Sequence, residues 1–196
     1  MPYVNHGIKR RALVAVIGSA DAPQILEKAA YDAGRQVIRA GFTLICGGLG
    51  GVMEAACRGA WEEVRAGGAP GPLDSPFAGY PAGRIIGVLP GTDKESANPY
   101  VEIAIPTGIG YARNTIIACA CDALLAVGGG SGTLSEISMA WQYGKPIVVL
   151  EGLPGLSAVL AGKALDDRRS DVILGARDPK EAVAMIRSAL EERGVV

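Results

Sequence analysis

The residues best placed to do chemistry are Arg113, Glu136 and the glycines of three turns. Each turn follows an apolar run of strand length: Gly18-Ser19-Ala20, Gly47 to Gly51, and Gly128 to Gly132. Glycines let the backbone approach a phosphate closely, and the free N–H groups and dipole of a following helix favour an anion. Arg113 stands at the predicted start of a helix otherwise built from Thr115, Ile116, Ile117, Ala118 and Ala120. The helix dipole disfavours a cation there, so Arg113 in an apolar segment points to a specific role. That role is binding an anion, pairing with Glu136, or forming a purely structural ion pair. Thr133-Leu134-Ser135-Glu136 fits S/T-x-x-E, the capping box in which two side chains satisfy the first N–H groups of a helix. The same Glu136, beside a phosphate-binding turn, suits a partner for a ribose hydroxyl or an acid/base.

Several chemistries are excluded by the same residues. Gly48-Leu49-Gly50-Gly51-Val52-Met53 has Met where the G-x-G-x-x-G fingerprint needs its third glycine, Gly128 to Thr133 fits no better, and G-x-x-x-x-G-K-[ST] is missing. Dinucleotide binding of the usual kind and P-loop ATPase chemistry are therefore unsupported. His6 is the one histidine, which argues against a His-dependent triad or a His-rich metal site. The six lysines mostly fall in surface helix or loop contexts unsuited to a Schiff base.

The elements that must position these groups follow from hydrophobic pattern. Ala12 to Ile17, Phe42 to Cys46, Arg84 to Leu89, Ala123 to Val127 and Pro146 to Leu150 read as buried strands. Tyr100 to Ile105 alternates and reads as a strand nearer a sheet edge, and Val172 to Leu174 as a short strand. Helices are expected over about 22–40 with Asp21 as N-cap, 52–65, 111–121, from just after Ser131-Gly132, and 179–193 with Asp178 as N-cap. Gly152 to Gly162 reads as a loop with a short helix. Strand, glycine turn and helix in alternation predict an α/β fold: one Rossmann-like, three-layer domain over residues 1–196 with a mostly parallel, doubly wound sheet. Residues 66–83 break the rhythm. Nine of these eighteen residues are Gly or Pro, which makes the segment a surface insertion or a lid over the site.

Composition narrows the class further. The 196 residues are 49% apolar and 20% charged with a net charge of −1, a globular balance that gives no electrostatic footprint for nucleic acid. No window reaches membrane-spanning length, and MPYVNHGIKRR lacks the apolar stretch of a signal peptide. A cytoplasmic protein with no nucleic-acid or membrane partner is the expectation. The four cysteines, Cys46, Cys57, Cys119 and Cys121, form no C-x-x-C and are expected to be reduced and mostly buried.

V-I-G-S at 16–19, C-G-G-L-G-G-V-M-E-A-A-C-R-G-A at 46–60 and G-G-x-G-T-x-x-E at 129–136 resemble one superfamily. It comprises the LONELY GUY phosphoribohydrolases, proteins long mislabelled as lysine decarboxylases, and the molybdenum cofactor carrier proteins. P-G-T-D at 90–93, N-P-Y-V at 98–101 and P-T-G-I-G-Y-A-R-N at 106–114 are closer to the carrier branch. The resemblance implies a carrier for a phosphate-bearing, purine- or pterin-like ligand, with molybdenum cofactor as bound cargo and no resident cofactor or metal required. Gly129, Gly130, Ser131, Gly132 and Thr133 would cradle the phosphate, with Gly18, Ser19, Gly47, Gly48 and Asn114 also lining the site. The alternative is a LONELY GUY-type hydrolase of the N-glycosidic bond in nucleoside 5′-monophosphates, with Arg113 and Glu136 catalytic. Gly128 stands where the hydrolase motif has Pro, and Ala112-Arg113-Asn114 replaces a more charged, His-containing segment. The superfamily also implies a homodimer or homotetramer built through helices beside the site.

Overall fold

The computed structural model describes residues 10–67 and 84–196. His6 and nearly all of the Gly/Pro-rich stretch (68–83) lie outside the described residues. Within them the chain runs β1 (Leu13–Gly18), α1 (Gln24–Arg39), β2 (Thr43–Cys46), α2 (Val52–Ala66), β3 (Ile85–Leu89) and β4 (Ile103–Pro106). It continues through α3 (Arg113–Ala120), β5 (Ala123–Val127), α4 (Ser131–Gln142), β6 (Ile147–Leu150), β7 (Leu174–Ala176) and α5 (Pro179–Glu192). The seven strands form one sheet, every adjacent pair parallel, in the order β4-β3-β2-β1-β5-β6-β7. The expected α/β, Rossmann-like, doubly wound sheet is present, and it is wholly parallel among the described residues.

Parallel strands need both faces covered, and continuous apolar runs supply that. β2, β5 and β6 are buried at every position. On one face Val14, Val16, Leu44, Leu125 and Val148 pack beneath α1, α2 and α5, and on the other Ala15, Ile17, Ile45, Leu124 and Val149 pack beneath α3 and α4. The chain leaves β1 toward β2, β3 and β4, then returns to place β5 on β1's other side, with Gly18 in register with Val127. That reversal is the switch point at whose carboxyl edge open α/β sheets bind ligands.

Several boundaries move from expectation for identifiable reasons. Asp21 does not cap α1; Pro23 holds the N-cap position at φ −67° and ψ 155°, and its carbonyl accepts from Leu26 and Glu27 N–H. Ala66, expected to open the insertion, is the last residue of α2. β7 begins at Leu174 rather than Val172, because Ile173 is tied to the preceding loop by Ile173 N–H to Lys163 O and Gly162 N–H to Ile173 O. Asp178 does cap α5, its carboxylate accepting from Glu181 N–H at 2.9 Å. Cys46, Cys57 and Cys121 are buried and Cys119 is exposed on α3, all four thiols being free.

Candidate functional site

Because all strands run the same way, the three glycine turns emerge on one edge of the sheet, side by side on β2, β1 and β5. The β1 and β2 turns are also bonded to each other, and the β5 turn to a loop behind it. Ser19 carbonyl accepts the Val52 N–H that opens α2, at 3.0 Å, and Leu156 N–H donates to Gly129 carbonyl at 2.8 Å, backing the β5 turn with the loop after β6. Gly18 lies against Val127 carbonyl and the Val52 side chain. Gly48 donates its N–H to Cys46 Sγ and accepts from Asn98 N–H.

The β5 turn has a closed half and an open half. Gly128 and Gly129 are buried, and Gly129 holds φ +93° with the Thr133 side chain where a Cβ would stand. Gly130, Ser131 and Gly132 are exposed, and the space a Cβ would fill at Gly130 and Gly132 is empty. α4 starts at Ser131 with Gly130 as its N-cap and no capping side chain. Among the described residues, Ser131, Gly132 and Thr133 N–H have no acceptor. Such a set of convergent donors at a helix start suits an anion.

This register overturns the capping-box reading. Thr133 is the third helical residue instead of the cap, so Glu136 lies a turn further in and cannot reach back to a cap N–H. Glu136 instead meets Arg113, with Nη1 donating to Oε1 at 3.3 Å. Both residues are buried, at 5% and 8% exposure. Arg113 is the first residue of α3, and its guanidinium lies over the Gly47 backbone so closely that a Cβ at Gly47 would collide with it. The pairing expected from sequence is therefore present, and Gly47 is what makes room for it.

The pair is electrostatically incomplete. Burial pushes the Glu136 carboxyl up to about 7, and the Arg113 charge opposes that rise only in part. One contact at 3.3 Å is a long bond for a charge-assisted pair and offsets little of the desolvation. Arg113 carries five N–H donors, and its Nε is buried with no partner. The buried guanidinium therefore keeps donors beyond the one spent on Glu136.

Asn114, expected to line the site, is bonded to the β5 turn. Its Nδ2 donates to Gly132 carbonyl at 3.3 Å and Ser135 Oγ at 2.8 Å, while Ser135 Oγ donates to Gly132 carbonyl at 2.7 Å. α3 is thereby fastened to the first turn of α4. Sequence reasoning missed Asn98, which is buried and donates Nδ2 to Leu49 carbonyl at 3.0 Å, holding the β2 turn from the far side. Its one signal was its place in N-P-Y-V. Two concavities of about 790 and 340 Å³ lie elsewhere, along α1/α2 and α1/α5. At the β5 turn, Gly130, Ser131 and Gly132 stand at exposed positions.

A family model described as the SLOG cluster4 family matches residues 11–183. The chain belongs to that family. An uncharacterized protein of Archaeoglobus fulgidus is 37% identical over 146 residues, 71% of this chain and 84% of its own. Among solved structures, the molybdenum cofactor carrier protein of Chlamydomonas reinhardtii superposes with a TM-score of 0.71 and 30% identity over 92% of this chain and 99% of its own. The molybdenum cofactor binding protein of Rippkaea orientalis superposes at 0.70 with 28% identity over 92% and 98%. These likenesses bear out the superfamily resemblance and its carrier side. Among the described residues no helix is long and apolar enough to cross a membrane.

Proposed function

We propose that this protein carries a phosphate-bearing, nucleotide- or pterin-like ligand at the carboxyl edge of β1, β2 and β5, with molybdenum cofactor as the leading cargo and no resident cofactor needed. Gly130, Ser131, Gly132 and Thr133 offer the phosphate their N–H groups, with Gly129 shaping the turn, Gly18, Ser19, Gly47 and Gly48 lining its neighbours and Arg113 supplying the charge. The observation that carries this reading is the buried Arg113, whose Nε has no partner beside an open turn. The likeness to cofactor carriers supports the choice of cargo.

A second reading rests on Glu136. A carboxyl held near 7 beside a cation suits general acid/base work at neutral pH, and the pair would serve an N-glycosidic bond hydrolase acting on nucleoside 5′-monophosphates. Incubation of the purified protein with AMP separates the two. The carrier reading expects retention of AMP or of a co-purifying pterin with no free adenine, and at least about 100-fold weaker AMP retention in Arg113→Leu, the loss of one charged anchor. Adenine and ribose 5-phosphate released by wild type but not by Glu136→Gln would instead establish the hydrolase. If neither AMP nor phosphate raises the melting temperature, both readings fall.

The proposed partner is a second copy of the chain, seated on the α3/α4 layer. Ile103, Ile105, Ile109, Tyr111, Ile116 and Tyr143 are exposed there or at its border. Between Ile103 and Gly144 the only charged residues are Arg113, Asp122 and Glu136. A self-association face buries no unpaired charge on such a surface.

A further inference from the structure

Cys46 and Cys57 take no part in the site proposed above, yet they lie directly behind it. Cys46 ends β2, Cys57 stands on α2, and their Sγ atoms are 3.4 Å apart with both residues fully buried. Gly48 N–H donates to Cys46 Sγ at 3.3 Å. The next residue after Cys46 is Gly47, the backbone on which the Arg113 guanidinium rests. The two thiols are unequal. The hydrogen bond from Cys57, the Gly48 N–H and the Arg113 charge hold the Cys46 thiol below its ordinary range against the effect of burial, while the same contact and burial push Cys57 well up. Cys46 is also the thiol whose Sγ accepts the Gly48 N–H, with the Arg113 guanidinium beyond Gly47, which suits it to attack first.

We propose that Cys46 and Cys57 are an oxidisable dithiol that a peroxide closes to a disulfide, and that closure disturbs the Gly47–Gly51 turn beneath Arg113. The Cys46 thiolate attacks the O–O bond of the peroxide ROOH, forming an S–O bond and releasing RO⁻, which takes up a proton as ROH. The Cys57 sulfur then attacks the resulting sulfenic sulfur, and the expelled hydroxide leaves as water with the Cys57 proton. Two thiols and ROOH give one disulfide, ROH and water, the sulfur pair losing two electrons to the peroxide. The sulfurs must close from 3.4 Å to about 2.0 Å, drawing α2 and the end of β2 together. The Gly48 N–H contact to Cys46 Sγ is displaced in the same step. The effect on Arg113 rests on the ligand reading given above; the disulfide does not.

The test is hydrogen peroxide treatment of the native Cys119→Ser protein, which lacks the exposed thiol, followed by alkylation, intact mass and peptide mapping. Loss of two hydrogens, a Cys46–Cys57 linked peptide, reversal by a thiol reductant, and a trapped Cys46 sulfenic acid in the further variant Cys57→Ser are expected. Three alkylated thiols after treatment, or Cys46 driven to sulfinic acid with Cys57 free, would overturn the dithiol. Oxidised protein is expected to retain AMP at least about tenfold less well than reduced protein, and equal retention would overturn the coupling to Arg113. If reduced protein retains no AMP, the ligand reading falls with that coupling, while the mapping still decides the dithiol.

Discussion

The two helical layers treat charge in opposite ways. On α1 and α2, Arg35 and Arg39 share Glu63, Lys28 pairs with Asp32, and Arg58 and Arg65 lie over the rings of Tyr31 and Trp61. Apart from the largely covered Glu63, these charges reach water, where such pairs contribute little to stability but keep a surface solvated. The α3/α4 layer turns its two helical charges, Arg113 and Glu136, inward to each other and leaves α3 an outer face of Ile116, Cys119 and Ala120. A charge on the first layer is mostly solvated; a charge on the second is buried against its partner. The contrast says where substitution is cheap.

The sharpest way to break the contrast is to put a charge on α3's outer face. Ile116→Lys is expected to abolish self-association, read as a fall to monomer mass by light scattering, with the fold retained. An unchanged mass, or a monomeric wild type, would remove that face from consideration.

The buried pair gives the next effect. The folded Glu136 carboxyl sits at about 7, above its ordinary 4.5, so the folded state holds this proton where the unfolded chain has lost it. Its stabilising contribution is fully present below pH 4.5 and is lost as pH rises through 7. The interval corresponds to about 3 kcal/mol. Glu136→Gln, permanently neutral, is expected to gain stability relative to wild type by about that much between about pH 4.5 and 8 in urea melts. A difference that does not vary with pH would show that Arg113 holds Glu136 ionised.

The smallest effect belongs to the first layer. Lys28→Ala removes a pair whose lysine is 77% exposed, and its cost should stay within about 0.5 kcal/mol and shrink with salt. A larger loss would mean that the outer layer also uses charge structurally.

The fold was legible because apolar strand-length runs, each closed by glycine, repeat with a helix between them, and a parallel sheet then brings those turns to one edge. Arg113 and Glu136 were legible as a pair because an arginine in an apolar helix requires an acceptor. The local register at α4 was not. S/T-x-x-E names a cap only if the helix starts at the Thr, and Gly130, with room for any backbone turn, starts it three residues earlier. The bond from Asn114 across to Gly132 was not legible either, because it joins two helices whose packing no spacing rule gives. Cys46 and Cys57, 11 residues apart on a strand and a helix, meet only once α2 folds back over β2, and no spacing rule announces that.

The junction after β5 sets two extremes of backbone protection next to each other. Ala126 is fully buried between β1 and β6, in the middle of the sheet, and opening it requires breaking the sheet itself. Five residues on, Ser131 N–H has no acceptor and stands at an exposed position. In deuterated solvent the first amide would be among the last to exchange and the second among the first. The amides of Ser131, Gly132 and Thr133 are therefore a built-in reporter: any occupant of the turn must slow their exchange, whatever its chemical identity.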